Sequence, residues 1–156
     1  MAIETPFVTA DGIVEIYVED EFQGIVLIDR LNPPYGTALP GGFMDIGETI
    51  EACLKREMSE EIGLDVDIIK LLGLYSDPKR DPRFHTISAV YVCRAEMFPT
   101  AGDDAKSTKV VPLNALERES FVFDHGKIIA DYLMGIPNNP NHPQKEEKEI
   151  CSGTLL

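Results

Sequence analysis

Positive charge is scarce in this chain. Across 156 residues, 14 Lys and Arg stand against 27 Asp and Glu, a formal net charge of −13 with His neutral. A bare nucleic-acid or anionic-membrane binder needs a basic face, so that class is not expected. Cysteine is scarce too: Cys53, Cys93 and Cys151 lie far apart and form no CxxC pair. That pattern suits neither a disulfide framework nor a zinc site and fits reduced thiols in a cytoplasmic protein. The first eleven residues carry no basic and apolar leader pattern, so a signal peptide is not expected. Apolar runs such as Ile25–Ile28 have the length of strands and fall far short of the roughly 20 residues of a membrane span. No internal repeat is visible.

What remains is ordinary globular composition, 44% apolar and 26% charged. The length favours one domain, with roughly 70% of the unfolded surface buried on folding. Residues 1–136 are expected to form it, and 137–156, with three prolines, three asparagines and a mixed-charge run, to be a poorly ordered tail. Ile13–Val18 and Ile25–Asp29 read as a hairpin around a turn at Asp20–Gly24, with Thr37–Leu39 a short strand. Val66–Tyr75 and His85–Arg94 read as longer strands and Val110–Val111 as a short one; Thr100–Lys106 reads as a polar loop. Thr49–Ile62 and Asp124–Leu133 read as helices, the first with Thr49 as N-cap and Gly63 just past its end. Strands mixed with helices give an α/β or α+β layered domain.

The first helix breaks its own pattern. With Ile50 at zero on a helical wheel, Leu54, Met58 and Ile62 mark the apolar arc, and Glu57 and Glu61 fall inside it, at about −20° and +20°. Glu60 lies at its edge, near −80°. Unpaired carboxylates beside a core are costly, and like charges at i, i+4 repel. Arg56 alone does not neutralise three acids. Clustered oxygen donors suit a hard divalent cation, Mg²⁺ or Mn²⁺.

Gly42, Glu48, Arg56-Glu57, Met58, Glu60-Glu61, Gly63 and Leu64 fill every fixed position of a known signature: Gly, five residues, Glu, seven residues, Arg-Glu, an aliphatic, any residue, Glu-Glu, any residue, Gly, an aliphatic. The chain thereby resembles the Nudix hydrolases, which cleave a nucleoside diphosphate linked to another moiety. The resemblance implies an α/β/α sandwich with a mixed sheet and a loop–helix–loop box. It implies Glu57 and Glu61 as the main metal ligands with Glu60 assisting, a backbone carbonyl from Gly41–Gly42, Arg56 to orient the glutamates, and Glu48 to support Arg56 or the metal shell. Divalent ions neutralise the pyrophosphate and make bound water more acidic, so an acidic helix suits this chemistry.

The segment Tyr75–His85 resembles the stretch after the box in microbial ADP-ribose pyrophosphatases, with Pro78 fifteen residues past Gly63. Lys79, Arg80 and Arg83 put three cations in one loop that could meet a terminal phosphate or a ribose-phosphate, although Asp77 and Asp81 could neutralise two of them locally. Phe22, Tyr35 or Phe84 could stack on adenine. The expected general base is Asp103 or Asp104, then Glu119. His85, at a strand start, reads as structural or hydrogen-bonded or else catalytic, His125 as a capping or packing residue, and His142 has no assigned role. The expected reaction is hydrolysis of ADP-ribose to AMP and ribose 5-phosphate by a homodimer of the subfamily's kind. The alternatives are another nucleotide (a dinucleoside polyphosphate, NADH or a noncanonical nucleoside triphosphate) and a catalytically silent nucleotide-binding module.

Overall fold

The computed structural model describes residues 2–102 and 105–135. The expected tail at 137–156, Asp103, Asp104, His142 and Cys151 lie outside the described residues. Strands β1 (Phe7–Val18), β2 (Glu21–Arg30), β3 (Thr37–Ala38), β4 (Gly41–Phe43), β5 (Asp67–Tyr75), β6 (Thr86–Ala95) and β7 (Ala105–Val111) form one mixed sheet. Its spine runs β3-β2-β1-β6-β5, with β4 pairing β1 and β7 pairing β2. The β1·β6 pair is parallel and the other pairs are antiparallel.

Period-two alternation along the strands decides which side chains go to which face. Val26 and Ile28 of β2, and Ala89, Tyr91 and Cys93 of β6, join a core under helix α1 (Ile50–Ile62), which contributes Cys53, Leu54, Met58 and Ile62. Their neighbours Ile25, Leu27, Val90 and Val92 join a second core under helix α2 (His125–Gly135) and a 3₁₀ turn at Leu113–Arg118. Helices thus cover both faces, and the α/β/α sandwich is met. No described helix is long and apolar enough to cross a membrane. Cys53 and Cys93 are free and buried.

Helix α1 has the expected ends. Thr49 accepts from the Ala52 N–H, and Gly63, at φ 67°, donates to Ser59 O in a left-handed cap. The hairpin turn differs from expectation. It is Glu19-Asp20, both at positive φ, as a two-residue turn with the right twist requires, and Glu21–Gly24 belong to β2. β1 also starts six residues earlier than expected, and β7 reaches back to Ala105.

The early start of β1 makes the site. Its Thr9–Asp11 half pairs β4, while Glu15–Val18 pairs β2. Between these stretches β1 exchanges one neighbour for another. The chain crosses that gap at Leu39-Pro40, from β3 on β2 to β4 on β1. The Gly12 N–H, donating to Pro40 O at 2.9 Å, pins the crossing.

Candidate active site

A cleft of about 630 Å³ opens at this parting of strands. Thr9 and Asp11 of β1, Ile28 and Arg30 of β2, and Gly41–Phe43 of β4 line it, with Arg56, Glu57, Glu60 and Glu61 of α1 along one wall. Arg80, Asp81, Arg83, Phe123 and His125 also line it.

The wheel argument holds in three dimensions. Glu61 is 8% exposed, and its Oε2 accepts the Gly41 N–H at 2.8 Å. The Glu57 side chain is 16% exposed and that of Glu60 is 61% exposed. Burial raises the Glu57 pKa, and Arg56 opposes that shift. Gly42 is required here by close approach: a Cβ on it would overlap the Glu57 carboxylate.

Arg56 gathers the acids. Its Nη1 donates to Glu57 at 2.8 Å and Glu60 at 3.2 Å, and its Nη2 and Nε to Glu48 at 2.7 and 3.1 Å. Glu48 also accepts the Asp45 N–H at 2.8 Å. With Arg56 as the larger cause, these bonds hold the Glu48 pKa at about 2. As these side chains stand, no group of three His, Cys, Asp or Glu among the described residues converges closely enough to hold a metal ion. The donor set still fits a hard divalent cation in kind. Glu61 is a buried and Glu57 a half-buried carboxylate, both lining the cleft, Glu60 stands beside them, and the Gly42 cradle leaves room at Glu57.

Several cleft groups escaped the sequence reading, Arg30, Asp11, Thr9 and Phe123 among them. Asp11 is 8% exposed at the floor, where burial raises its pKa to about 6 despite a hydrogen bond donated by Ser88. Thr9 Oγ1, beside it, is buried without a protein hydrogen-bond partner. Phe123 takes φ 57° at the cleft edge. Asp11 gave no signal, because its stretch of β1 is strand only through its pairing with β4 and β6. Phe123 had none, because its conformation depends on distant contacts.

The loop of cations is redistributed. Arg80 was expected to face a phosphate, but its side chain is only 4% exposed. Nε and Nη2 grip Asp124 at 2.9 and 2.8 Å, and Nη1 donates to Thr86 at 2.8 Å. It is a structural pin whose edge reaches the cleft. Arg83 pairs with Asp81 at 2.9 Å, the local neutralisation foreseen as the alternative. Burial pushes Asp81 up, but the Arg83 bonds outweigh it and lower the pKa. Lys79 and Pro78 are exposed and do not line the cleft; Lys79 borders a separate hollow with Lys127. Phe84 is 48% exposed, packed edge-on to Phe7 and Phe43. Phe22 packs on Tyr17 away from the cleft, and Tyr35 is exposed. Glu119 binds Lys109 at 2.6 Å and lies outside the cleft lining. His125 is structural as expected: its Nδ1 accepts the Leu39 N–H at 2.9 Å, and burial, then Arg80 and Arg30, push its pKa down to about 3. His85 bonds Ser76 O at 3.2 Å.

Comparison with known proteins yields a consistent set. The family model described as NUDIX domain matches residues 7–132. An ADP-ribose pyrophosphatase of Methanocaldococcus jannaschii is 46% identical over 133 residues, 82% of this chain and 73% of that protein. The NUDIX domain of Shewanella oneidensis NrtR, solved in complex with ADP ribose, superposes with a TM-score of 0.74 at 22% identity, over 83% of this chain and 88% of that one. A bifunctional NMN adenylyltransferase/ADP ribose pyrophosphatase of Francisella tularensis superposes with a TM-score of 0.69 at 28% identity, over 86% of this chain and 42% of that one.

Proposed function

The chain belongs to the NUDIX family, and from that premise we propose that it hydrolyses ADP-ribose to AMP and ribose 5-phosphate with the help of a divalent cation. The observation that carries this reading is the pair Glu57 and Glu61, two carboxylates turned into a cleft from the buried side of α1. The 46% identity to an ADP-ribose pyrophosphatase supports the choice of substrate.

In this reading Glu57 and Glu61 hold the metal, Mg²⁺ or Mn²⁺, with Glu60 and the Gly41 carbonyl completing the protein's share. Bound there, the cation neutralises the diphosphate and acidifies a water. Arg56, fixed from behind by Glu48, sets the orientation of Glu57 and Glu60. Arg83, in the cleft lining, contacts the ribose-phosphate end, with Phe84 beside it, outside the lining and packed on the cleft residue Phe43; the buried Arg80 supports that side through Asp124. Asp103 or Asp104 is proposed as the base that takes the proton from the attacking water. The domain spans residues 1–136. Two buried free thiols support a cytoplasmic setting, and the subfamily resemblance supports a homodimer.

The test is a substrate panel with divalent metal present, with phosphate release read through a coupled phosphatase for ADP-ribose, NADH and dinucleoside polyphosphates and through a coupled inorganic pyrophosphatase for the triphosphates. ADP-ribose should be turned over faster than NADH, dinucleoside polyphosphates and nucleoside triphosphates. Turnover no faster than that of triphosphates sinks the substrate assignment.

A further inference from the structure

Strand β1 carries two polar side chains across the cleft floor. Period-two alternation sets Thr9, Asp11 and Ile13 on one face of the sheet, and the β1·β6 register, unbroken from Phe7 to Ile16, sets Ser88 and Val90 beside them. Ile13 and Val90 go into the core under α2. Thr9 and Asp11 line the cleft instead, at 9% and 8% exposed. Asp11 pairs Gly41 of β4, where a Cβ would overlap Asp11 Oδ1, so a bare backbone is what admits the carboxylate.

Neither side chain is used up by the protein. Ser88 donates to Asp11 Oδ2, and among the described residues no other donor reaches that carboxylate. Arg80 favours its charge from a distance, but Nε, Nη1 and Nη2 of Arg80 are turned to Asp124 and Thr86, and Asp124 and Glu57 oppose the charge. Thr9 Oγ1 has no hydrogen-bond partner among the described residues. Buried polar groups are nearly always satisfied, so two neighbouring exceptions in one cleft point to a ligand. The free acceptor defines that ligand by its chemistry. A phosphoryl oxygen is repelled by a carboxylate, whereas a hydroxyl donates to one in a short charge-assisted bond.

We propose that Asp11 is a specificity-determining residue: its Oδ1 accepts a hydroxyl of the terminal ribose, and Thr9 Oγ1 makes the sugar's second polar contact. Both line the same cleft as Arg83, which meets the ribose-phosphate end in the proposed function, so the terminal ribose is the sugar in reach. This rests on the ADP-ribose hydrolysis argued above and names the group by which that substrate is selected. The same carboxylate discriminates against a nucleoside triphosphate, which would bring a phosphoryl group to the place of the sugar.

The test crosses substrate with residue in the full chain. ADP-ribose is compared with the tetrahydrofurfuryl ester of ADP, which keeps the diphosphate and a terminal ring but carries no hydroxyl on it. Wild-type kcat/KM should favour ADP-ribose at least about tenfold, the scale of one charge-assisted hydrogen bond. Asp11→Ala should bring that ratio close to one through a raised KM for ADP-ribose, with the ester held within about twofold of its wild-type value. Asp11→Asn keeps the shape of the side chain, so it serves if the alanine variant does not fold, and it should cut the ratio at least about threefold. Thr9→Val removes a hydroxyl that no protein group satisfies, so it should hold the melting temperature and still lower the ratio. Inosine diphosphate ribose, which lacks the purine amino group, should show the same dependence on Asp11; a dependence lost there assigns Asp11 to the base and overturns the sugar seat. A wild-type ratio near one overturns the proposal, as does a ratio unchanged by Asp11→Asn or an equal loss on both substrates. If the wild-type chain does not hydrolyse ADP-ribose, the proposed function fails separately. Calorimetric binding of ribose 5-phosphate with Mg²⁺ then decides the seat: a Kd weakened by Asp11→Asn supports it, and an unchanged Kd or no binding refutes it.

Discussion

His125 should make this protein lose stability in mild acid, and the effect has a calculable size. The ring is 3% exposed, its Nδ1 accepts the Leu39 N–H, and Arg80 and Arg30 act on it electrostatically with only Asp81 opposing them. A proton on Nδ1 would break that hydrogen bond and put a charge in the core. The folded pKa is accordingly pushed from 6.5 down to about 3. The unfolded chain takes up the proton near 6.5 and the folded chain does not, so stability rises with pH across the window from about 3 to 6.5. Well inside the window each pH unit carries about 1.4 kcal/mol, and about half that near pH 6.5 where the unfolded imidazole is half protonated, so moving from pH 6.5 to pH 4.5 costs about 2 kcal/mol through this one group. That is a large share of the ~5–15 kcal/mol that holds a domain together. The comparison variant is His125→Asn, whose Oδ1 can still accept from Leu39 and whose amide does not titrate. Urea unfolding followed by circular dichroism, from pH 7 to pH 4.5, measures both proteins. The variant should start less stable, having lost ring contacts, and its stability should fall less steeply. Carboxylates that titrate alike in both proteins cancel in the difference. Parallel stability curves would refute the buried, neutral imidazole and the electrostatics argued for it.

Other perturbations test other parts. Glu57→Gln should lower kcat/KM at least about a hundredfold, the scale of lost transition-state charge contacts, with little change in thermal midpoint; near-normal activity removes Glu57 from the metal site. Gly42→Ala forces a methyl against the Glu57 carboxylate and should cost about a hundredfold in rate for a displacement of ångström size; unchanged turnover would show that the carboxylate has other room. Arg80→Met leaves Asp124 and Thr86 without their buried partner, and thermal unfolding should show a loss of about 3 kcal/mol; a loss well under 1 would mean the pin is dispensable. Treatment with EDTA should abolish hydrolysis, and added Mg²⁺ or Mn²⁺ should restore it; activity that survives chelation contradicts a divalent-metal mechanism.

Sequence reading was strongest where the physics is local. Helix α1 carries its own caps in Thr49 and Gly63 and its own periodicity, and that same periodicity exposed Glu57 and Glu61 as misfits on an apolar face. It was weakest where tertiary pairing overrides local preference. Phe7-Val8-Thr9 favours strand but is cut short by Ala10, Asp11 and Gly12, yet the whole segment is strand because β6 and β4 hydrogen-bond it from either side. Gly24 looked like a turn residue, whereas its φ of 145° serves close packing of β2 against the Val111 backbone. Arg80 looked like a surface cation because its partners, Asp124 and Thr86, are distant in sequence or on another element. The acidic half of the cleft was therefore legible from one helix. The basic half was not, since Arg30, Arg83 and Phe123 meet only after the sheet has formed.

The exchange of partners along β1 also bears on how substrate enters. Among the described residues, the part of the cleft built on β4 and the part built on β2 are stitched to one continuous strand, β4 on its first half and β2 on its second. These two parts cannot swing apart without breaking the ladder of β1. Admission and release fall to the side chains at the rim, to Arg83, Phe84 and the exposed Glu60, and turnover should track their rotation and the exchange of ions rather than a swing of rigid bodies.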